Sequence, residues 1–378
     1  MIGPLALVLL CLSAPAQAEA PGRVLVEVAE GSGDRLTIEL VFQLGAAEDP
    51  PGRAGLTHLA EHLALGQSAR AEALEAAGGE EVGLTTHDAV RLTVIAPPGR
   101  GSLALGRVSE ILAGGAGAPS EPVWRQERER ALQEALADRF SEAALRGLAL
   151  YPPGHPYHRP AAGLPDELEQ IRASDAADWL ATALLPALAH AAVSGASGSE
   201  IEALQAALDA APALGAAPAR ATVAGAPRAW PRRWWCMSPR PAQLLAWALP
   251  AEAPRAALEE IVSRLNHSIL NKYSRPGDPI LVASAGLLSR RLGAELVVRA
   301  EPAPRWWGRL LGRRPGPVAL DRLLGRVRRG LAEMARGGPE GAVSTLVNTW
   351  LRPERTVTLS LGPDRAHWPK EAEELPTR

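Results

Sequence analysis

Two histidines stand four residues apart in His58-Leu59-Ala60-Glu61-His62, with a glutamate immediately before the second. On a strand, residues at that interval lie about 13 Å apart, whereas on a helix they are neighbours on one face. The segment can use both imidazoles together only as a helix. Both rings then reach one metal ion at the roughly 2.0–2.1 Å of a Zn–N bond. Glu61 sits beside them, close enough to hydrogen-bond a metal-bound water without ligating the metal. A metal lowers that water's pKa and the carboxylate takes its proton, giving a hydroxide nucleophile and an acid for a leaving amine. The plainer reading is a solvated helix face carrying three polar residues. With only eight histidines in the chain, this order counts against it.

A catalytic zinc has three protein ligands, so a further one is expected. Residues 120–134 read as a helix: Ser120 suits the N-cap, Pro122 is tolerated in the first turn, and Glu121 suits the positive helix end. Glu127 and Glu134, seven apart, are nearly eclipsed on one face, while Glu129 points away. Their backbones are separated by about 10 Å along the axis, so one should ligate and the other orient the ligands. The spacing does not say which does which. Read without the histidines, the pair is an ordinary charged face partnered by Arg128 and Arg130.

The order His58-x-x-Glu61-His62, then Glu127-Arg128 and Glu134, resembles the insulinase/pitrilysin family of zinc peptidases, which includes mitochondrial processing peptidase. Gly45 and Glu48 before the motif, the Tyr151–Tyr157 loop and Leu164-Pro165-Asp166-Glu167-Leu168 fit the same pattern. The resemblance implies one zinc ion held by His58, His62 and Glu134, with Glu61 as general base and Glu127 as supporting acid. The family's Asn-Ala-x-Thr strand corresponds to Val82-Gly83-Leu84-Thr85, which implies substrate contacts at Gly83 and Thr85 without the amide of the Asn. Family enzymes also draw an Arg and a Tyr from a second-domain segment. Here Asn271-Lys272-Tyr273-Ser274-Arg275 offers Arg275 but no Tyr at a suitable distance after it. A metal-free homologous subunit supplying the missing group is therefore the expected partner, and a peptide or small protein held as an extended strand the expected substrate. The rival function is a noncatalytic binding or assembly subunit with a structural zinc, and a third is a processing protease dedicated to one precursor.

A chain of 378 residues, 47% hydrophobic and 22% charged, has material for two cores. Its formal net charge of −2 gives no basic excess to neutralise phosphates, so no nucleic-acid partner is expected. Residues 1–18 form a short apolar run ending in Ala16-Gln17-Ala18, the pattern of a cleaved secretory signal, without a positive n-region. An exported, bacterial periplasmic location follows, with an N-terminal strand or a membrane anchor as alternatives. Cleavage would leave Cys236 alone and no internal disulfide.

The expected fold is α+β, with two tandem homologous domains, each a mostly antiparallel sheet with helices packed on it, the second metal-free and shortened. The zinc-bearing domain spans 23–210, an Ala/Pro/Gly-rich linker 211–231, the second domain 232–365 and a tail 366–378. Strands are expected at Arg23–Val28, Leu36–Leu44, Arg91–Ala96 and Ala189–Ser194 in the first domain, and at Gln243–Ala248, Leu281–Ala285, Ala294–Ala300 and Thr356–Leu361 in the second. Helices are expected at Gly55–Ala64, Ala69–Ala77, Leu103–Ala113, Glu121–Leu150, Ala173–Ala187, Ser199–Ala210, Arg255–Lys272 and Leu320–Ala335. His155 and His158 read as exposed imidazoles of a rigid Pro-rich turn, with metal binding the lesser reading. His87 and Asp88 read as a surface turn or a substrate contact. Trp306-Trp307 among arginines reads as a solvated loop, with membrane or partner contact the lesser reading.

Overall fold

The computed structural model describes residues 26–29, 35–66, 68–113, 119–184, 189–210, 221, 233–237, 242–270, 281–302, 317–336, 341–352, 355–362 and 373–374. The expected signal segment 1–18, the linker apart from Ala221, the Asn271–Arg275 segment and Trp306-Trp307 lie outside them.

Alternation builds the first sheet. β2 (Leu36–Phe42) and β4 (Val90–Ala96) bury every second residue, including Ile38, Leu40, Leu92 and Val94, against helices on one face. With β1 (Val26–Ala29), β3 (Glu80–Thr85) and β5 (Ala189–Ser194) they form a five-stranded sheet in the order β1-β5-β2-β4-β3. All pairs are antiparallel except β1 with β5. Among the described residues β3 is an edge strand. Its Val82 and Leu84 are 53% and 50% exposed.

The second sheet contains β6 (Arg233–Met237), β7 (Ala242–Leu249), β8 (Leu281–Arg290), β9 (Gly293–Pro302), β10 (Val357–Gly362) and β11 (Glu373–Glu374), ordered β11-β6-β10-β7-β9-β8. Without β11, this is the order of the first sheet. Directions match as well, because β6 and β10 are parallel whereas β7–β10, β7–β9 and β8–β9 are antiparallel. The α+β architecture with two like sheets is thus observed. After α1 (Leu56–Leu65) and α2 (Ala69–Ala76), which lie between β2 and β3, the first half carries α3 (Gly101–Leu112), α4 (Glu121–Asp138), α5 (Glu142–Leu150), α6 (Pro165–Leu168) and α7 (Ala173–Ala183) between β4 and β5. Between β9 and β10, among the described residues, there are only the helices Pro317–Arg336 and Ala342–Thr349.

Several expectations are corrected. The helix expected over Glu121–Leu150 is broken into α4 and α5, because Ser141 turns extended and accepts from the backbone N–H of Ala144, starting a new helix. At the start of α4, Ser120 occupies the N-cap position without a side-chain bond. The helix expected over Arg255–Lys272 is α-helical only over Arg255–Arg264 and continues as a π-helix over Leu265–Leu270. Strand β6 and the helix Ala342–Thr349 have no counterpart in the periodicity reading. Nor is His155 exposed: it is buried and stacked on Tyr151 with ring centroids 4.3 Å apart. The Nδ1 of His158 lies 2.7 Å from the Tyr151 carbonyl.

The two halves share a core. Leu145, Ala149 and Leu150 of α5, with Tyr151 and Tyr157, pack on Trp234, Leu244, Ala246, Val297, Leu359 and Leu361 of the second sheet. A polar junction borders this cluster. Glu295 of β9, fully buried, receives Arg146 at 2.6 Å and Tyr151 Oη at 3.2 Å, with Arg290 also at 3.2 Å. The turn between β8 and β9 enters the first half: Arg290 Nη1 donates to His87 Nδ1 at 3.0 Å, Arg291 N to Asp88 Oδ2 at 3.0 Å, and the Arg291 guanidinium pairs with Glu48. His87 and Asp88 are therefore taken by the second half. They do not form a free surface turn.

Candidate metal centre and its surroundings

Helix α1 (Leu56–Leu65) begins at Gly55, whose φ of 100° reverses the chain at low cost only for glycine. Its orphan N–H groups are satisfied from outside. Asp49 Oδ2 accepts from Gly55 N at 2.7 Å, while its Oδ1 accepts from Thr57 N at 2.9 Å and Thr57 Oγ1 at 2.5 Å. Burial pushes the Asp49 carboxyl up to about 6, against the pull of the Thr57 and Gly55 donors. Trp179 Nε1 donates to Thr57 Oγ1 at 2.9 Å, tying α7 to the same turn. At the other end, buried Arg107 donates to the Ala64 carbonyl at 2.9 Å while pairing with Glu81 of β3 at 2.6 Å and Glu110 at 2.8 Å. The helix is thereby held at both ends, and its C-terminus is anchored to the edge strand. Asp49, Trp179 and Arg107 are supports that the sequence reading did not single out.

Within this frame the predicted ligands meet. His58 Nε2 and His62 Nε2 are 3.1 Å apart, and Glu134 Oε2 of α4 lies 3.3 Å from the first and 3.6 Å from the second. Ligands at zinc distances in tetrahedral geometry are separated by about 3.3–3.4 Å. Among the described residues, these three form the one His/Cys/Asp/Glu group spaced to hold a metal. Their protons fit as well. His58 Nδ1 faces the Ala162 carbonyl at 3.1 Å and His62 Nδ1 faces Glu127 Oε2 at 3.4 Å. Both of those oxygens can accept, so with a metal bound each Nδ1 would carry its hydrogen and each Nε2 lone pair would turn inward. Two lone pairs and a carboxylate then converge on one point, which is the donor set of a divalent cation. The residues present fit zinc.

Charge in the cluster is distributed by burial. Burial alone would lower the His62 pKa, but the hydrogen bond it donates to Glu127 and the charges of Glu61 and Glu134 outweigh it and raise it. The His58 bond, with both imidazoles nearby, lowers Glu134. Glu127 is 2% exposed, and Arg130 holds it at 3.2 Å. That geometry fits a supporting acid. Glu61 is 6% exposed and raised by burial against the pull of His58 and of Thr85, whose Oγ1 donates to its Oε2 at 2.8 Å. A carboxylate raised toward neutrality is a stronger base than an ordinary one. Glu61 and Thr85 thus link α1 to the edge strand.

No protein-family model matches the sequence, and no curated protein does. In three dimensions the chain is similar to a peptidase M16 inactive domain from Pseudomonas fluorescens, with a TM-score of 0.69 and 16% identity over 92% of this chain and 98% of that one. It is similar to pitrilysin, with a TM-score of 0.66 and 14% identity over 89% of this chain and 43% of that one. It is also similar to the periplasmic protease PqqL from Escherichia coli, with a TM-score of 0.61 and 14% identity over 90% of this chain and 46% of that one. The chain therefore spans less than half of pitrilysin or of PqqL. Among the described residues no helix is long and apolar enough to cross a membrane. The two like sheets, with the His58, His62 and Glu134 cluster beside the edge strand of the first, are built on the insulinase/pitrilysin fold.

Proposed function

We propose that the chain is a zinc-dependent endopeptidase that hydrolyses peptides bound as an extended strand along β3. The convergence of His58 Nε2, His62 Nε2 and Glu134 Oε2, with a buried, base-like Glu61 whose charge acts on both imidazoles, carries this reading. A structural site has no use for the base. Zinc, when bound by His58, His62 and Glu134, supplies Lewis acidity and makes water acidic. Glu127 holds the His62 ring with its Nε2 inward, and the Ala162 carbonyl does the same for His58. Glu61 accepts the proton of the attacking water and delivers it to the nitrogen that leaves. Along β3, the unpaired main chain around Gly83 and Thr85 offers ladder hydrogen bonds to a peptide. Val82 and Leu84 present apolar surface to the open side of the sheet.

The partner in this reading is a metal-free homologous subunit that completes the substrate site with Arg and Tyr. Its support is that pitrilysin and PqqL have more than twice the length this chain covers. An exported, periplasmic setting agrees with the description of PqqL. Residues 23–210 would then be the catalytic domain and 232–365 its metal-free copy. The second reading, a noncatalytic binding subunit with a structural zinc, draws on the neighbour named an inactive domain and on Val82 in place of the family's Asn. Glu61→Gln separates the two. The peptidase reading expects full zinc content and no hydrolysis of a mixed peptide library, measured with and without the partner; hydrolysis at the unsubstituted rate would refute it.

A further inference from the structure

Of the four large apolar side chains that stand exposed among the described residues, Val82 and Leu84 share one strand and one face of it. An exposed apolar edge strand invites pairing with another chain, and folded proteins blunt such edges with charge or proline. β3 is blunted only at its start, where Glu80 pairs with Arg35 at 2.9 Å. Register settles which way each later residue looks. Gly83 and Thr85 stand opposite Leu92 and Val90, both buried on the helix-covered face, and Thr85 Oγ1 donates there to Glu61 Oε2 at 2.8 Å. Val82 and Leu84 stand opposite Thr93 and Arg91 on the other face. Arg91 is paired with Glu39 at 3.2 Å. The open face of β3 thus presents two aliphatic side chains two residues apart, bordered by charges already matched to each other.

A peptide added beside β3 keeps the same pleat. Its residues opposite Val82 and Leu84 lie on the open face, within about 5.5 Å between Cβ atoms, and the residue between them looks toward Glu61 and the metal cluster. We propose that Val82 and Leu84 are specificity-determining residues, which select peptides carrying aliphatic side chains two residues apart, one on each side of the residue that faces the metal site. This rests on the reading of β3 as the substrate strand above. Continuity with the candidate site argues for substrate as the occupant, because the same strand presents its Thr85 hydroxyl to the base. A charged side chain in either position would lose hydration against Val82 or Leu84, which offer no hydrogen bond. Val82 stands where the family's strand has Asn, so apolar contact replaces an amide at this position.

The test uses the full, zinc-loaded chain as Glu61→Gln, so that peptides bind without being consumed. Two fluorescein-labelled peptides of Ser, Thr and Gln carry the same two valines, either two residues apart or adjacent, and fluorescence anisotropy reads their Kd. The two-apart peptide is expected to bind about fivefold more tightly, the upper end of one additional cross-strand apolar pair. Leu84→Ser and Val82→Ser, each added to the Glu61→Gln chain, should bring the ratio toward one, and both side chains are exposed enough to be changed without opening the core. Phe140→Ser removes an exposed apolar side chain outside β3 and should leave the ratio where it was. Equal Kd values for the two peptides, or binding of neither, overturns the proposal. So does a ratio that Leu84→Ser leaves unmoved, or that Phe140→Ser lowers as much. With Glu61 restored, kcat/KM should follow the same order. If that chain hydrolyses nothing, the peptidase reading fails, and the Kd ratio still decides whether the open face of β3 selects its peptide.

Discussion

The junction between the halves should weaken in mild acid, and His87 accounts for a definable share of the loss. Its Nδ1 accepts from Arg290 and its Nε2 lies 2.7 Å from the Arg159 carbonyl, so the neutral ring satisfies both neighbours and a second proton would face a guanidinium. Burial, with Arg290 beside it, pushes its pKa down from 6.5 to about 4. The unfolded chain therefore takes up the proton first as the pH falls. The stability that the neutral ring contributes is present above about pH 6.5 and is lost as the pH falls through the window to about 4. Each pKa unit corresponds to 1.36 kcal/mol, so the shift amounts to about 3 kcal/mol in all and about 2 kcal/mol between pH 7 and pH 5. His87→Gln keeps an acceptor for Arg290 and a donor for Arg159 but does not titrate. Urea unfolding of both proteins at pH 7 and pH 5 isolates the share, because the remaining histidines are common to both. The unsubstituted protein should lose about 2 kcal/mol more than the variant over that interval. Equal losses, within about 0.5 kcal/mol, would show that His87 is not held neutral by the junction.

Chelation should remove hydrolysis, and stoichiometric zinc should restore it, as read by metal analysis and peptide cleavage; cleavage by a metal-free preparation would contradict the site. Glu127→Gln should weaken zinc binding about 10–100-fold while leaving the three ligands in place, measured by competition with a chelator. Asp49→Ala removes the acceptor of three donors at the start of α1 and should cost about 2 kcal/mol in urea unfolding at pH 7, with a further loss of zinc affinity. Arg146→Met leaves Glu295 buried with Arg290 as its remaining charge partner; it should destabilise by about 3 kcal/mol, and an unchanged midpoint would refute the buried pair.

The part of the site carried by one helix was legible, because His58, Glu61 and His62 depend only on a helical period. Glu134 and Glu127 shared a face by the same arithmetic, but their separate roles came from the resemblance and lie in how α4 crosses α1. Residues that act by tertiary approach left fainter signals. Asp49 lies six residues before the helix it caps, and Arg107 reaches it from α3. In β3, Glu80-Glu81-Val82-Gly83-Leu84-Thr85 buries neither face, so its alternation was weak and its strand nature followed from the resemblance alone. The break at Ser141 contains neither glycine nor proline; the serine itself was the available signal. His155 was misread because Pro152, Pro153 and Pro156 report a rigid turn without reporting what covers it.

Helix α5 precedes the linker in the chain, yet its apolar residues lie on the second sheet. Leu145 and Leu150 are 0% and 3% exposed, and each such side chain gains about 1.5–3 kcal/mol from burial. The seam along which the molecule is assembled therefore does not run through residues 211–231. A chain severed there would carry, at the end of its first piece, a hydrophobic stripe whose complement had left with the other. A substitution on this face of α5 is therefore felt by the second sheet as much as by the half that carries it.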